Sequence, residues 1–188
     1  LKDASGYLKL AYQGISIQSN LIGLYNFHNI ASAIAIGQYF NVSEENIKTA
    51  IEGYTPQNNR SQIIEKNDFH IIMDAYNANP TSMLAALENF RQAKGENKIL
   101  ILGDMFELGE HASTEHQKIV TYLEQHPFAK IYLIGENFNN THSTASHITT
   151  FQDFENFKTF WKSEHFKDGN LLVKGSRGMA LERILDLL

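Results

Sequence analysis

From residue 60 onward the chain alternates short apolar runs with segments of helical periodicity, and this alternation restricts the fold more than any other feature. Runs at 61–65, 69–73, 99–102, 131–134, 147–151 and 171–173 have the length of strands. Segments at 81–93, 114–125, 154–163 and 179–187 space their apolar residues as helices do. Strands and helices alternating at these lengths imply a mostly parallel sheet covered by helices on both faces, joined by right-handed crossovers. Only Lys66-Asn67-Asp68 separates the first two strands, so they form a hairpin and one edge of the six-stranded sheet is antiparallel. The fold class is therefore α/β.

The first 56 residues follow a different pattern. Residues 7–12 and 15–17 flank Gln13-Gly14 and read as a β-hairpin. A turn is expected at 21–26, then a buried helix at 29–40 with small residues between Ile30, Ile34 and Ile36. Ser43 caps a second helix, 44–52, which ends at Gly53. The polar stretch Thr55-Pro56-Gln57-Asn58-Asn59 marks a domain boundary, giving a small α+β region at 1–56 and an α/β domain at 57–188.

Composition removes several function classes. The 188 residues carry a net charge of −5 with no basic run, which disfavours nucleic acid as a partner. Cysteine is absent, so disulfide frameworks and thiolate chemistry are excluded. The eight histidines show no zinc-ligand spacing, and no metal site is expected in this chain. No apolar stretch is long enough to span a bilayer and no signal peptide is visible, so a cytoplasmic location is expected. P-loop, Gly-x-Gly-x-x-Gly and Gly-x-Ser-x-Gly words are all missing. The chain starts at Leu1 within what reads as folded sequence, and it is expected to be the later part of a longer protein.

Three turns carry the chemistry, each between the end of a strand and the start of a helix. The first is Asp74-Ala75-Tyr76-Asn77-Ala78-Asn79-Pro80. An aspartate there offers acceptor oxygens to a ribose diol, while Asn77 and Asn79 either hold a polar substrate or merely shape the turn. The second is Leu102-Gly103-Asp104-Met105-Phe106-Glu107-Leu108-Gly109, where Asp104 and Glu107 either bind an ammonium group or orient a cation, or where Gly103-Asp104 is a common turn and Glu107 a solvated or capping acid. The third is Lys174-Gly175-Ser176-Arg177, with cations and a hydroxyl at a helix start that favours anions, or a plain cap with solvated cations. In an open α/β sheet ligands bind outside the carboxyl ends of the strands, so the three turns are expected along one rim. Arg60, at the domain boundary, is either a phosphate ligand or an exposed linker charge. His116, within a helix, reads as a packed histidine.

With these turns in order, and with Gly23-Leu24-Tyr25-Asn26-Phe27-His28-Asn29 upstream, the chain resembles the Mur ligases of peptidoglycan synthesis. The resemblance is closest to those that add D-alanyl-D-alanine to UDP-N-acetylmuramoyl-tripeptide. It covers nearly the whole chain, with Tyr25 where the family more usually has histidine. The resemblance implies an ATP-dependent amide ligase working through an acyl phosphate, with Mg²⁺ held mainly by other parts of the enzyme. It implies a Rossmann-like C-terminal domain preceded by the tail of a central ATP-binding domain, and a monomer. It places Asn26, Asn29, Arg60 and Asp74 on ATP. Tyr76, Asn77, Asn79, Asp104, Lys174 and Ser176 fall near D-alanyl-D-alanine or the reaction centre. Without the phosphate cradle of the family, the chain by itself is expected to be inactive. Two other readings stand beside this one: another Mur or folylpolyglutamate-synthetase-like ligase, and an autonomous nucleotide- or partner-binding domain.

Overall fold

A computed structural model describes residues 1–3, 6–164, 166 and 168–188. The chain divides into two units, Leu1–Gln57 with Glu88–Lys94, and Asn58–Leu87 with Gly95–Leu188. In the first unit, β1 (Tyr7–Tyr12) and β2 (Ile15–Ile22) pair antiparallel. Gln13 and Gly14 both have positive φ, the conformation a two-residue hairpin loop needs to match strand twist. Leu8, Leu10 and Ile17 point to one face and pack against Ile30 and Ile34 of α1 (Tyr25–Tyr39) and Ile47 and Ile51 of α2 (Glu44–Gly53). The Ser43 side chain accepts a hydrogen bond from the Asn46 N–H, which caps α2.

Two expectations for this unit need correction. The turn placed at 21–26 is much shorter, since β2 runs to Ile22 and α1 begins at Tyr25. The Asn26 side chain ties the junction by donating to the Ile22 carbonyl, 2.8 Å, so the helix starts directly after Gly23 and Leu24. The helix read as buried is covered along one stripe only. Ile36, Tyr39 and Phe40 stand 60–80% exposed, because the hairpin and α2 cover only the Ile30–Ile34 side.

The second unit holds β3 (Gln62–Lys66), β4 (Phe69–Asp74), β5 (Lys98–Gly103), β6 (Lys130–Ile134), β7 (Ile148–Phe151) and β8 (Gly169–Lys174). They form one sheet in the order β3-β4-β8-β5-β6-β7, antiparallel only at the β3–β4 edge. Its helices are α4 (Ala112–Gln125), α5 (Glu136–Asn139) and α6 (Phe154–Ser163), together with α3 (Pro80–Gln92) as far as Leu87. The α/β sheet implied by the sequence is thus present, with its antiparallel edge. Ile71, Met73, Ile99, Ile101, Tyr132, Leu171 and Val173 share one face and pack with Phe157 and Trp161 of α6. Their neighbours Ile72, Leu100, Leu102, Leu133 and Leu172 alternate to the other face and are equally buried.

The C-terminal segment is not the α-helix expected at 179–187. It forms 3-10 turns at Arg177–Met179 and Leu181–Leu187, separated by Ala180 in the left-handed region. At three residues per turn, Leu181, Ile184 and Leu187 line up along one side, and all three join the cluster beneath α6. The short helix α5 has no counterpart in the sequence expectation; four residues are too few for a periodic signal.

This topology singles out one edge of the sheet. Right-handed crossovers carry β4 through α3 to β5 and β5 through α4 to β6, placing α3 and α4 on one face. The return from β7 through α6 to β8 uses the opposite face, and the chain leaving β8 stays on the α6 side. Chain segments therefore diverge to opposite faces at the carboxyl ends of β4, β8 and β5, the switch-point arrangement at which α/β sheets bind ligands.

Candidate functional site

The three turns singled out in the sequence follow β4, β5 and β8, which are neighbours in the sheet, and they are bonded to one another. Asp74 is the last residue of β4 and lies in register with Lys174, the last residue of β8. Lys174 Nζ donates to Asp74 Oδ2 at 2.6 Å and to the Asn77 carbonyl at 3.2 Å. Its side chain is 2% exposed and that of Asp74 17%. A buried ammonium is tolerated only when paired in this way. The other carboxylate oxygen, Oδ1, accepts from the Ser61 N–H at 3.0 Å and the Ser61 hydroxyl at 3.4 Å. Three of the roughly four acceptor positions of Asp74 are thus filled, and about one remains.

Ser176 joins the other two turns. Its hydroxyl accepts from the Phe106 N–H at 2.8 Å, and its N–H donates to the Asp104 carbonyl at 3.0 Å. The close approach needs glycine on both sides. A Cβ on Gly175 would lie 3.0 Å from the Gly103 Cα and 2.9 Å from Leu181 Cδ1.

Arg60 and Tyr76 form an outer layer. The guanidinium lies 3.7 Å from the Tyr76 ring centroid, a cation–π contact at an exposed position. The Tyr76 N–H donates to the Asn59 carbonyl at 3.1 Å, so the residue before Arg60 is tied to the Asp74 turn. Asn58, Asn59 and Ser61 all have positive φ. Asparagine tolerates that region; serine does so less readily, and here its N–H is rewarded by Asp74.

The remaining candidates are placed differently. Asn79 caps α3: its Oδ1 accepts from the Ser82 N–H at 2.8 Å, and Ser82 Oγ accepts from the Asn79 N–H at 3.1 Å. Pro80 occupies the first helical position, where its missing N–H costs nothing. The exposed Asn77 turns its side-chain oxygen onto the Ala78 N–H at 2.8 Å. Asp104 points away from the Asp74 side of the rim. Its carboxylate, 2% exposed, accepts from Asn137 N–H at 2.9 Å, Asn137 Nδ2 at 3.0 Å and Phe138 N–H at 2.9 Å. It thereby caps α5 from another strand, since Gly135 at the cap position has no side chain. His116 is packed in the same place. Nδ1 donates to the Ala112 carbonyl at 2.7 Å, and Nε2 accepts from the Met105 N–H at 3.0 Å, which fixes a neutral tautomer. Arg177 is exposed and paired with Glu182.

In the first unit, Asn26 is buried and accepts from Asn29 Nδ2 at 2.9 Å. Ser61 is the residue the sequence reading missed. As the first residue of an expected strand it carried no signal, because its role comes from a left-handed backbone that no pattern announces. Among the described residues, no group of three or more His, Asp or Glu side chains is placed to hold a metal ion.

Known proteins match this chain over most of its length. The model for the Mur ligase family's glutamate ligase domain matches residues 59–177. The UDP-N-acetylmuramoyl-tripeptide–D-alanyl-D-alanine ligase of Borreliella burgdorferi is 29% identical over 181 residues, 94% of this chain and 39% of that protein. Among solved structures, MurF from Acinetobacter baumannii superposes with a TM-score of 0.81 at 28% identity, over 93% of this chain and 39% of its own. The fold is also that of MurF ligase from Thermotoga maritima in complex with ADP, with a TM-score of 0.77 at 20% identity, over 96% of this chain and 44% of its own. The chain thus spans about two fifths of the length of these proteins.

Proposed function

Since the chain belongs to the Mur ligase family by its glutamate ligase domain, we propose that it supplies the nucleotide-ribose and acceptor side of a ligase joining D-alanyl-D-alanine to UDP-N-acetylmuramoyl-tripeptide. The observation that carries this reading is the bonded junction of the Asp74, Asp104 and Ser176 turns at the switch point of the sheet. In the reaction, the γ-phosphoryl group of ATP passes to the tripeptide carboxylate and ADP departs. The amine of D-alanyl-D-alanine attacks the acyl carbon, and the tetrahedral adduct expels phosphate as the amide forms.

The residues of this chain would contribute positioning and charge, the two effects such a route draws from a covering domain. Asp74 keeps about one open acceptor for a ribose hydroxyl. Arg60, exposed and braced by Tyr76, suits a phosphate. Tyr76, Asn77 and Asn79, on the same turn, would stand on the side of the incoming D-alanyl-D-alanine, with Asn77 and Asn79 shaping the turn through their side-chain oxygens. Asn26 and Asn29 are assigned to the nucleotide by the family resemblance alone. Asp104 acts as scaffold, because both its carboxylate oxygens already serve N–H groups, while the Ser176 hydroxyl accepts from the Phe106 N–H and keeps its O–H for a ligand. The described residues do not fit a Mg²⁺ site: both rim aspartates are engaged and no carboxylate cluster stands beside them. The ion that accompanies ATP would be held elsewhere in the ligase. No described helix is long and apolar enough to cross a membrane, and we place the enzyme in the cytoplasm, acting in cell-wall synthesis and so in cell shape and division.

The test is phosphate release by the full-length ligase carrying this chain, with ATP, UDP-N-acetylmuramoyl-tripeptide and one amine at a time. The expected result is turnover with D-alanyl-D-alanine and little with glutamate, L-lysine or meso-diaminopimelate. Preference for any of the latter would reassign the domain within the family.

A further inference from the structure

We propose that Lys174 is a positioning residue whose buried ammonium sets the Asp74 carboxylate for a ribose hydroxyl, rather than a cation that meets substrate itself. The inference rests on the reading of Asp74 as the ribose acceptor. Lys174 reads from sequence as an anion ligand at a helix start. In the fold its side chain is 2% exposed, and its ammonium is spent on Asp74 Oδ2 and the Asn77 carbonyl. It ends β8 directly beside Asp74 at the end of β4, and its backbone is also in register with Leu102 of β5. No other Lys or Arg ion pair to Asp74 occurs among the described residues.

Through this pairing Lys174 fixes which oxygen edge of Asp74 is free. Ser61 fills Oδ1 and Lys174 takes one side of Oδ2, leaving the remaining Oδ2 position for a ligand hydroxyl. The bond to the Asn77 carbonyl extends the same control to the turn, so the carboxylate and the backbone from 74 to 77 move as one piece. Without the ammonium, the carboxylate is free to rotate toward water, and its preorganised acceptor is lost.

A merely structural lysine and a positioning lysine are separated by nucleotides that differ only in the ribose. ADP and 2′,3′-dideoxy-ADP are titrated into the full-length ligase by calorimetry, using wild type, Lys174→Met and Asp74→Asn. Wild type is expected to favour ADP about tenfold or more, the size of a hydrogen bond to a charged acceptor. In Lys174→Met that preference should collapse toward one, as in Asp74→Asn, while dideoxy-ADP affinity stays near the wild-type value. If Lys174→Met does not fold, Lys174→Gln, which keeps a donor without the charge, is read in the same way and should lose most of the preference. A preference unchanged in a folded Lys174 variant, with both nucleotides weakened alike, would overturn the positioning role and leave the Asp74 reading intact. A wild-type enzyme indifferent to the ribose hydroxyls would remove the Asp74 reading, and this inference with it.

Discussion

Replacing Asp104 by alanine should cost stability, and the structure gives the size. The carboxylate is 2% exposed and accepts three N–H bonds, two of them from the backbone of Asn137 and Phe138. Those two backbone groups open α5, whose cap residue Gly135 provides no acceptor, and Phe138 is fully buried. In Asp104→Ala both lose their acceptor in a site closed to water. At about 1–3 kcal/mol per orphaned buried donor, the loss is about 4 kcal/mol. For a chain of this length, with ~2–4 °C per kcal/mol, the melting temperature should fall by about 8–16 °C. Asp104→Asn keeps one acceptor oxygen and should fall roughly half as far. Differential scanning calorimetry of the purified protein measures both. The alternative, in which Asp104 grips the ammonium of the incoming amine, predicts the reverse pattern. A shift under about 2 °C in Asp104→Ala, together with lost acceptor affinity, would refute the capping argument.

Three further outcomes follow from other parts of the molecule. Gly175→Ala places a methyl 3.0 Å from the Gly103 backbone and should lower the urea midpoint by an amount corresponding to about 1–3 kcal/mol. The hydroxyl of Tyr132 is buried among Phe151, Phe157 and Trp161 with no hydrogen-bond partner among the described residues. Burial and the charge of Glu164 hold its pKa above the usual tyrosine range, so Tyr132→Phe should be neutral or stabilising by about 1 kcal/mol in thermal melts. Glu52 is held below its ordinary value of 4.5 by hydrogen bonds from Lys48 and the Gln18 N–H. A depressed carboxylate stabilises above its unfolded pKa and loses that contribution as pH falls through the folded one. Glu52→Gln should therefore differ from wild type at pH 7 and converge with it below pH 4.5, read from urea midpoints across that range.

The sheet was legible because buried parallel strands leave continuous apolar runs, and the six runs read from sequence each fall on one of β3 to β8, with Ser61 and His147 just outside the strands they were assigned to. Their order was not, since β8 inserts between β4 and β5 and nothing local encodes a return crossover. Gly103, Asp104, Lys174 and Ser176 were visible as residues at strand ends, but their partners were not. A carboxylate at such a turn serves equally to cap a neighbouring helix, as Asp104 does, or to remain partly open, as Asp74 does. Only the distance between Asp104 and the Asn137 N–H decides. Ser61 escaped notice because its role depends on a positive φ. The C-terminal 3-10 turns escaped because Leu181, Ile184 and Leu187 fit a helix of either pitch, and no local pattern announces the left-handed Ala180 between Met179 and Leu181, whose side chains lie against Gly103.

Where a nucleotide sits is decided by a crystal structure of the full-length protein with ADP. It should place one ribose hydroxyl at about 2.7 Å from Asp74 Oδ2, with Lys174 still on the same carboxylate. A ribose bound elsewhere, with Asp74 and Lys174 paired but remote from it, would contradict the account.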